Sequence, residues 1–161
     1  MMKHALTGQL LIASPQMDDP RFANSVILIC EHDADSAMGL IINQKTDDLD
    51  LDELATQLDI GTPKCNGDVP IHYGGPVEKS RGIVLHSPDH MIPETVTIGH
   101  VAAMTANIRI ISEIAGGQGP SEFIIALGHA GWSAGQLERE IKDNCWITMP
   151  YAHDLVFSCL S

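Results

Sequence analysis

The stretch Ser25-Val-Ile-Leu-Ile-Cys-Glu-His-Asp-Ala-Asp-Ser-Ala-Met-Gly-Leu-Ile-Ile-Asn43 decides the fold class, because two unbroken β-rich apolar runs, 25–30 and 38–43, flank a polar link. Runs that do not alternate with polar residues belong to strands covered on both faces. Residues 31–37 then read as the connection of a hairpin. Toward the N-terminus, residues 9–13 predict a short strand, and residues 14–24, with Asp19-Pro20 among them, predict a loop.

Toward the C-terminus, Asp50-Leu-Asp-Glu53 offers an acidic cap, Leu51, Leu54, Ala55 and Leu58 share one helical face, and Gly61 supplies a stop. Residues 62–70 predict a loop, and residues 71–73, 81–85 and 95–98 predict short strands broken by Gly74-Gly75-Pro76 and Ser87-Pro88. Val101, Met104, Ile108, Ile111 and Ile114 or Ala115 recur at helical spacing before Gly116-Gly117, so the longest helix is expected from about His100 to Ala115. A buried strand at 123–127, a helix at 133–141, and strands at 146–149 and 155–157 complete the chain. Strands and helices interleave without regular βαβ alternation, which favours an α+β fold with a mixed sheet. At 161 residues, with no repeat or low-complexity tract, one domain spanning 1–161 is expected.

Charge excludes several roles. Acidic residues number 21 against 9 basic ones, giving a formal net charge of −12 at pH 7. Such a field repels phosphate backbones and anionic lipid surfaces, and only Lys79 and Arg81 stand close together, so direct nucleic-acid binding is not expected. The four cysteines, Cys30, Cys65, Cys145 and Cys159, form no C-x-x-C pair, which points to a reducing compartment. The N-terminus carries no secretory pattern, and the apolar runs are too short to span a bilayer, so a cytoplasmic protein without membrane association is expected.

Gly131-Trp-Ser-Ala-Gly135 matches the G-x-S-x-G nucleophile elbow between a strand and a helix, which makes Ser133 the residue of a hydrolase alternative. The same serine opens Ser133-Ala-Gly-Gln136, a capping box in which its hydroxyl accepts a backbone N–H. Only residues 134–161 remain to supply an acid and then a histidine; His153 precedes Asp154, although Asp143 offers an acid ahead of it, and the cap is the preferred reading. Eight histidines show no H-x-x-x-H or H-E-x-x-H spacing; no metal site or cofactor is expected, and the histidines read as surface or loop residues. Gly74-Gly75-Pro76 lacks the glycine-rich phosphate fingerprints and reads as a tight turn. Together with Gly-His-Ala-Gly-Trp132, read as a second glycine-rich turn beside a strand, it can line a groove that offers backbone N–H groups and the Trp132 ring.

The run from Leu6-Thr-Gly-Gln through Ser14-Pro15, Cys30-Glu-His32, Met38-Gly-Leu-Ile-Ile-Asn43, Gly74-Gly-Pro-Val77, Leu85-His86 and Gly131-Trp132 resembles the AlgH-like (YqgE) family over nearly the whole chain. The resemblance implies a mostly antiparallel, branched or partly barrel-like sheet surrounded by helices. It also implies a further helical segment beyond residues 154–157, so an early or altered C-terminus is expected here. The family is largely uncharacterised, and its name carries a link to transcriptional regulation. An indirect regulator fits the acidic surface better than a DNA-binding one.

The expected function is therefore a non-enzymatic interaction or regulatory protein, monomeric or weakly dimeric, with one groove for an unidentified protein or small molecule. Gly74, Gly75, Pro76 and Trp132 line that groove, and the resemblance adds Glu31, Asn43 and Gln136. Convergence of Glu31, His86 and His129 on one cleft would mark the site.

Overall fold

A strand buried on both faces needs an apolar partner layer on each side, and the alternation of side chains along the strands shows where those layers lie. The computed structural model describes residues 6–57, 70–99 and 101–157. Among them run β1 (Leu10–Ala13), β2 (Val26–His32), β3 (Ser36–Ile41), β4 (Lys45–Asp50), α1 (Leu51–Gln57), β5 (Pro70–Tyr73), β6 (Val77–His86), β7 (Val96–Ile98), β8 (Ala102–Thr105), α2 (Ile108–Ala115), β9 (Phe123–Ser133), α3 (Gln136–Lys142), β10 (Trp146–Met149) and α4 (His153–Phe157). The sheet follows the order β10-β1-β2-β3-β9-β6-β8-β7, antiparallel throughout. It branches at β9, where β3 takes residues 130–133 and β5 pairs in parallel with residues 125–127, carrying β4 beyond it.

Successive residues of β2 and β3 serve opposite layers. Leu28, Cys30, Leu40 and Ile42 point into an inner core that also receives Leu10, Ile83, Leu85, Ile98 and Ile124. Ile27, Ile29, Ala37 and Ile41 enter an outer layer beneath Leu137 of α3, with Trp132 and Trp146. A second outer layer places Val84, Ile71 and Ile125 against Leu51 and Leu54 of α1 and Ile110, Ile111 and Ile114 of α2. Leu10 and Ile98 lie in strands far apart in the sheet order yet share the inner core, so the sheet curls into a half-barrel; Val156 of α4 packs into the same core.

The hairpin of β2 and β3 forms as expected, and Asp50 Oδ1 accepts the backbone N–H of Glu53 at 3.0 Å to cap α1. Several expectations need correction. The helix expected over 100–115 begins only at Asn107, whose side chain accepts the N–H of Arg109; residues 102–105 form β8 between β6 and β7. All four β8 residues are buried, and such a strand carries no alternation to distinguish it from a helical turn. β9 runs on through Trp132 to Ser133, so Gly-His-Ala-Gly-Trp132 is strand, not turn. Residues 155–157 belong to α4 rather than to a strand, and β4 was not anticipated at all. Leu58, Gly61, residues 62–69, Cys65, His100 and Cys159 lie outside the described residues. Among the described residues, no helix is long and apolar enough to cross a membrane.

The expectation of surface histidines fails for three of them: His32, His72 and His86 are buried. Desolvation lowers the His86 pKa and leaves the ring neutral. Its Nδ1 faces the Ser87 carbonyl at 2.8 Å and must donate, so Nε2 accepts from the Thr105 hydroxyl at 2.8 Å. Thr105 in turn accepts from Thr95, whose oxygen receives the N–H of Ile92. Burial, with Lys45 across the strand pair, pushes His72 down to about 4.

A depressed histidine pKa means that the unfolded chain takes a proton the folded chain refuses, so stability is complete above the unfolded value and falls below it. Unfolding free energy is expected to drop as pH is lowered from about 6.5, with His72 contributing about 3 kcal/mol by the time its folded value is reached. Urea titrations between about pH 7 and pH 5, where carboxylates remain ionised, measure this slope. His72→Gln is expected to flatten it; an unchanged slope would remove His72 from the account.

Candidate functional site

Two irregularities turn side chains toward the open end of the inner face. In β2 the register slips between Ile29 and Glu31, which inserts Cys30 as an extra residue and brings Glu31 opposite Met38 on the inner side. In β9 the phase inverts at Gly128, which holds φ +79: Ile124 and Ala126 face the inner core before it, whereas Ala130 and Trp132 face the outer layer after it. Only a residue without a Cβ takes that backbone conformation freely, and here a Cβ would also lie 2.3 Å from the Gly75 carbonyl oxygen. Across from it, β6 bulges between Val77 and Gly82, with Glu78 at φ +50.

These features frame a groove of about 880 Å3. Met38, Ile83, Met104 and Val96 line it, with Glu31, Glu78, Glu94, Arg81 and His129 among them. Arg81 is tied to Glu78 at 3.2 Å. The Nδ1 of His129 is buried without a partner, and burial lowers the ring's pKa so that it is neutral near pH 7.

A second recess of about 260 Å3 lies on the far side of a wall that Val77, Gly131 and Trp132 share with the groove. Pro76, Gln136 and Glu140 line it with Arg21 and Cys145. The single groove expected from the sequence is thus two cavities: Glu31 belongs to the larger, Pro76 and Gln136 to the smaller, and Trp132 to both. Gly74 and Gly75 carry the chain directly against β9, since a Cβ on either would lie within 2.1–2.3 Å of the backbone at Gly128 or His129.

The recess is organised by one carboxylate. Glu140 Oε1 accepts the indole N–H of Trp132 and that of Trp146, each at 2.9 Å, while Oε2 accepts from Gln136 Nε2 at 3.0 Å. The two indoles meet edge to face at 6.1 Å between ring centroids. Gln136 uses its other end to accept the backbone N–H of Ser133 at 3.0 Å.

That last bond is half of the expected capping box; the other half is absent. Gly135, at φ +75, takes the N-cap position of α3 with no side-chain bond, and the Ser133 hydroxyl donates to Gln136 Oε1 at 3.3 Å instead of accepting a backbone N–H. Its partner is a neutral amide rather than a base, so the arrangement does not activate the hydroxyl. Asn43 stands apart from both cavities, accepting from the Val26 N–H and donating to the Asn24 carbonyl, each at 2.9 Å. His86 is likewise committed to its threonine chain, so of the three groups whose convergence would mark a site only Glu31 and His129 share a cavity. Among the described residues, no three His, Cys, Asp or Glu side chains gather as a metal-holding group.

Met104, Val96, Glu94 and Glu78 were not anticipated as site residues. Met104 and Val96 enter through strands that sequence periodicity did not join, and Glu78 through the bulge that follows Gly-Gly-Pro.

Fold and cavities together define an α+β half-barrel with an open groove on its inner face. Known proteins share this fold. The solution structure of the AlgH protein from Pseudomonas aeruginosa superposes with a TM-score of 0.83 at 40% identity, covering 96% of this chain and 82% of that one. The crystal structure of protein DIP2367 from Corynebacterium diphtheriae, at 23% identity and a TM-score of 0.73, shares the fold over 94% of this chain and 78% of its own. A UPF0301 protein of Jannaschia sp. (strain CCS1) is 48% identical over 158 residues, covering 97% of this chain and 82% of the relative. The AlgH-like family model matches residues 10–160, and the chain belongs to that family.

Replacing Glu140 by Ala strands two buried indole donors, at about 1–3 kcal/mol each, so a stability loss of about 2–6 kcal/mol is expected by urea unfolding followed in the far-ultraviolet circular dichroism. Glu140→Gln, which keeps one acceptor oxygen, is expected to lose less. A loss below about 0.5 kcal/mol for the alanine variant, the range of a neutral surface change, would show that the shared carboxylate is not a structural anchor.

Proposed function

We propose that this chain is a non-catalytic binding protein of the cytoplasm that holds a ligand or a segment of a partner in the inner-face groove. The observation that carries the reading is the groove's construction. An apolar floor of Met38, Ile83 and Met104 lies beside a buried, unpartnered imidazole nitrogen of His129, in a volume of the size that ligand sites occupy. A buried polar atom left without a bond is costly, and a bound group that satisfies it gains what the free protein lacks. The strained backbone of Glu78 at the groove supports the same reading, since such outliers gather where binding compensates for them. A regulatory role, including the transcriptional one attached to the family's name, would run through a bound partner, because a net charge of −12 opposes a direct hold on DNA.

Carbon-13 labelling of the methionine methyl groups tests the groove directly. In titrations with a chemically diverse fragment library and with short peptides, binders are expected to shift the Met38 and Met104 methyl signals and to leave Met91 in place; Met91 is half exposed and lies outside the groove. Binders that move only other methyl groups, or none that move these two, would refute the assignment.

A further inference from the structure

Resting on that reading, we propose that the groove's occupant is a basic amphipathic peptide segment of a partner protein, with its apolar side chains on Met38, Ile83 and Met104 and its cationic side chains on Glu31 and Glu94. Three carboxylates, Glu31, Glu78 and Glu94, line the groove against one guanidinium, Arg81, and Arg81 is already bonded to Glu78. The lining therefore carries a net charge of −2, from three negative groups and one positive. Glu31 and Glu94 are exposed and have no ion-pair partner among the described residues. They stand on separate elements, Glu31 in the bulge of β2 and Glu94 in the turn before β7, and give the groove two anionic positions beside its apolar floor.

The apolar side of the match is equally specific. Among the described residues, Val77 and Val96 are two of only five large hydrophobic side chains that are exposed, and both border this groove. Methionine thioethers adapt to side chains of differing shape, which is why methionine-rich floors recur where proteins take amphipathic segments. The unpartnered His129 nitrogen lies among these apolar groups and offers a neutral ring to a donor or acceptor of the segment. Anionic lipid and nucleic acid are disfavoured by the same carboxylates.

Fluorescence anisotropy with the full chain and three labelled peptides tests the proposal: a leucine–lysine peptide with leucines at helical spacing, its leucine–glutamate counterpart, and a lysine peptide in which glycine and serine replace leucine. Only the first is expected to bind tightly, with affinity falling as salt is raised and with shifts of the Met38 and Met104 methyl signals. The double variant Glu31→Gln/Glu94→Gln alters exposed residues, so it folds, and it is expected to weaken binding about 2- to 20-fold at low salt. Equal binding of the glutamate peptide, equal binding of the leucine-free peptide, or no effect of the double variant overturns the proposal. If uncharged or acidic ligands move the two methyl signals while the leucine–lysine peptide does not, the inference falls and the binding groove stands. If nothing moves those signals, the binding reading falls with it.

Discussion

Strand β9 has two edges and serves three strands, and that constraint shapes the molecule. β6 occupies one edge along most of its length, and the other is divided between β5 near its start and β3 near its end. A strand shared in this way cannot keep one flat register, because β3 and β5 approach it in opposite directions. The inversion at Gly128 falls between the two, and the chain after β5 fills the junction: Ile41 donates its N–H to the Gly74 carbonyl at 2.9 Å, and Gly74 donates to Leu127 at 2.8 Å. The glycines that looked like a turn are the backbone of this junction, where there is no room for side chains.

The groove follows from the same branching. After the inversion, His129 and Gly131 face the cavity on the inner side, while Trp132 reaches back toward α3 and separates the groove from the recess. The slip at Cys30 does for β2 what Gly128 does for β9, so the acidic residue that regular alternation would send outward comes to the inner face beside Met38. A site of this kind is made by departures from period two, on strands whose remaining residues obey it.

This explains which features could be read from the sequence. The β2–β3 hairpin was legible because its apolar runs are long and doubly buried, and α1 because Asp50 announces it. β8 was not, since Ala102 to Thr105 are small or apolar, all buried, and continuous with the helical spacing of α2. Neither of the two phase changes leaves a local mark: Cys30 is one apolar residue in an apolar run, and Gly128 is one glycine in a glycine-rich segment. Family likeness and aromatic character point to Glu31 and Trp132, whereas Met104 reaches the groove through the pairing of β8 with β6, and Glu94 lies in a turn without periodicity. Asn43 was drawn toward the site by resemblance, yet both ends of its amide are spent on neighbouring backbone.

The shared acceptor of Trp132 and Trp146 has a spectroscopic consequence. The chain has 2 tryptophans, and both indoles are held by Glu140 on α3, so its tryptophan signals originate at one corner of the molecule. Intrinsic emission will follow the docking of α3 on β9 and β10. It will be nearly blind to α1, α2 and the layer they cover, where Phe123 is the one aromatic side chain among the described residues. Opening of that layer could proceed without any change in fluorescence, and only a probe placed there would report it.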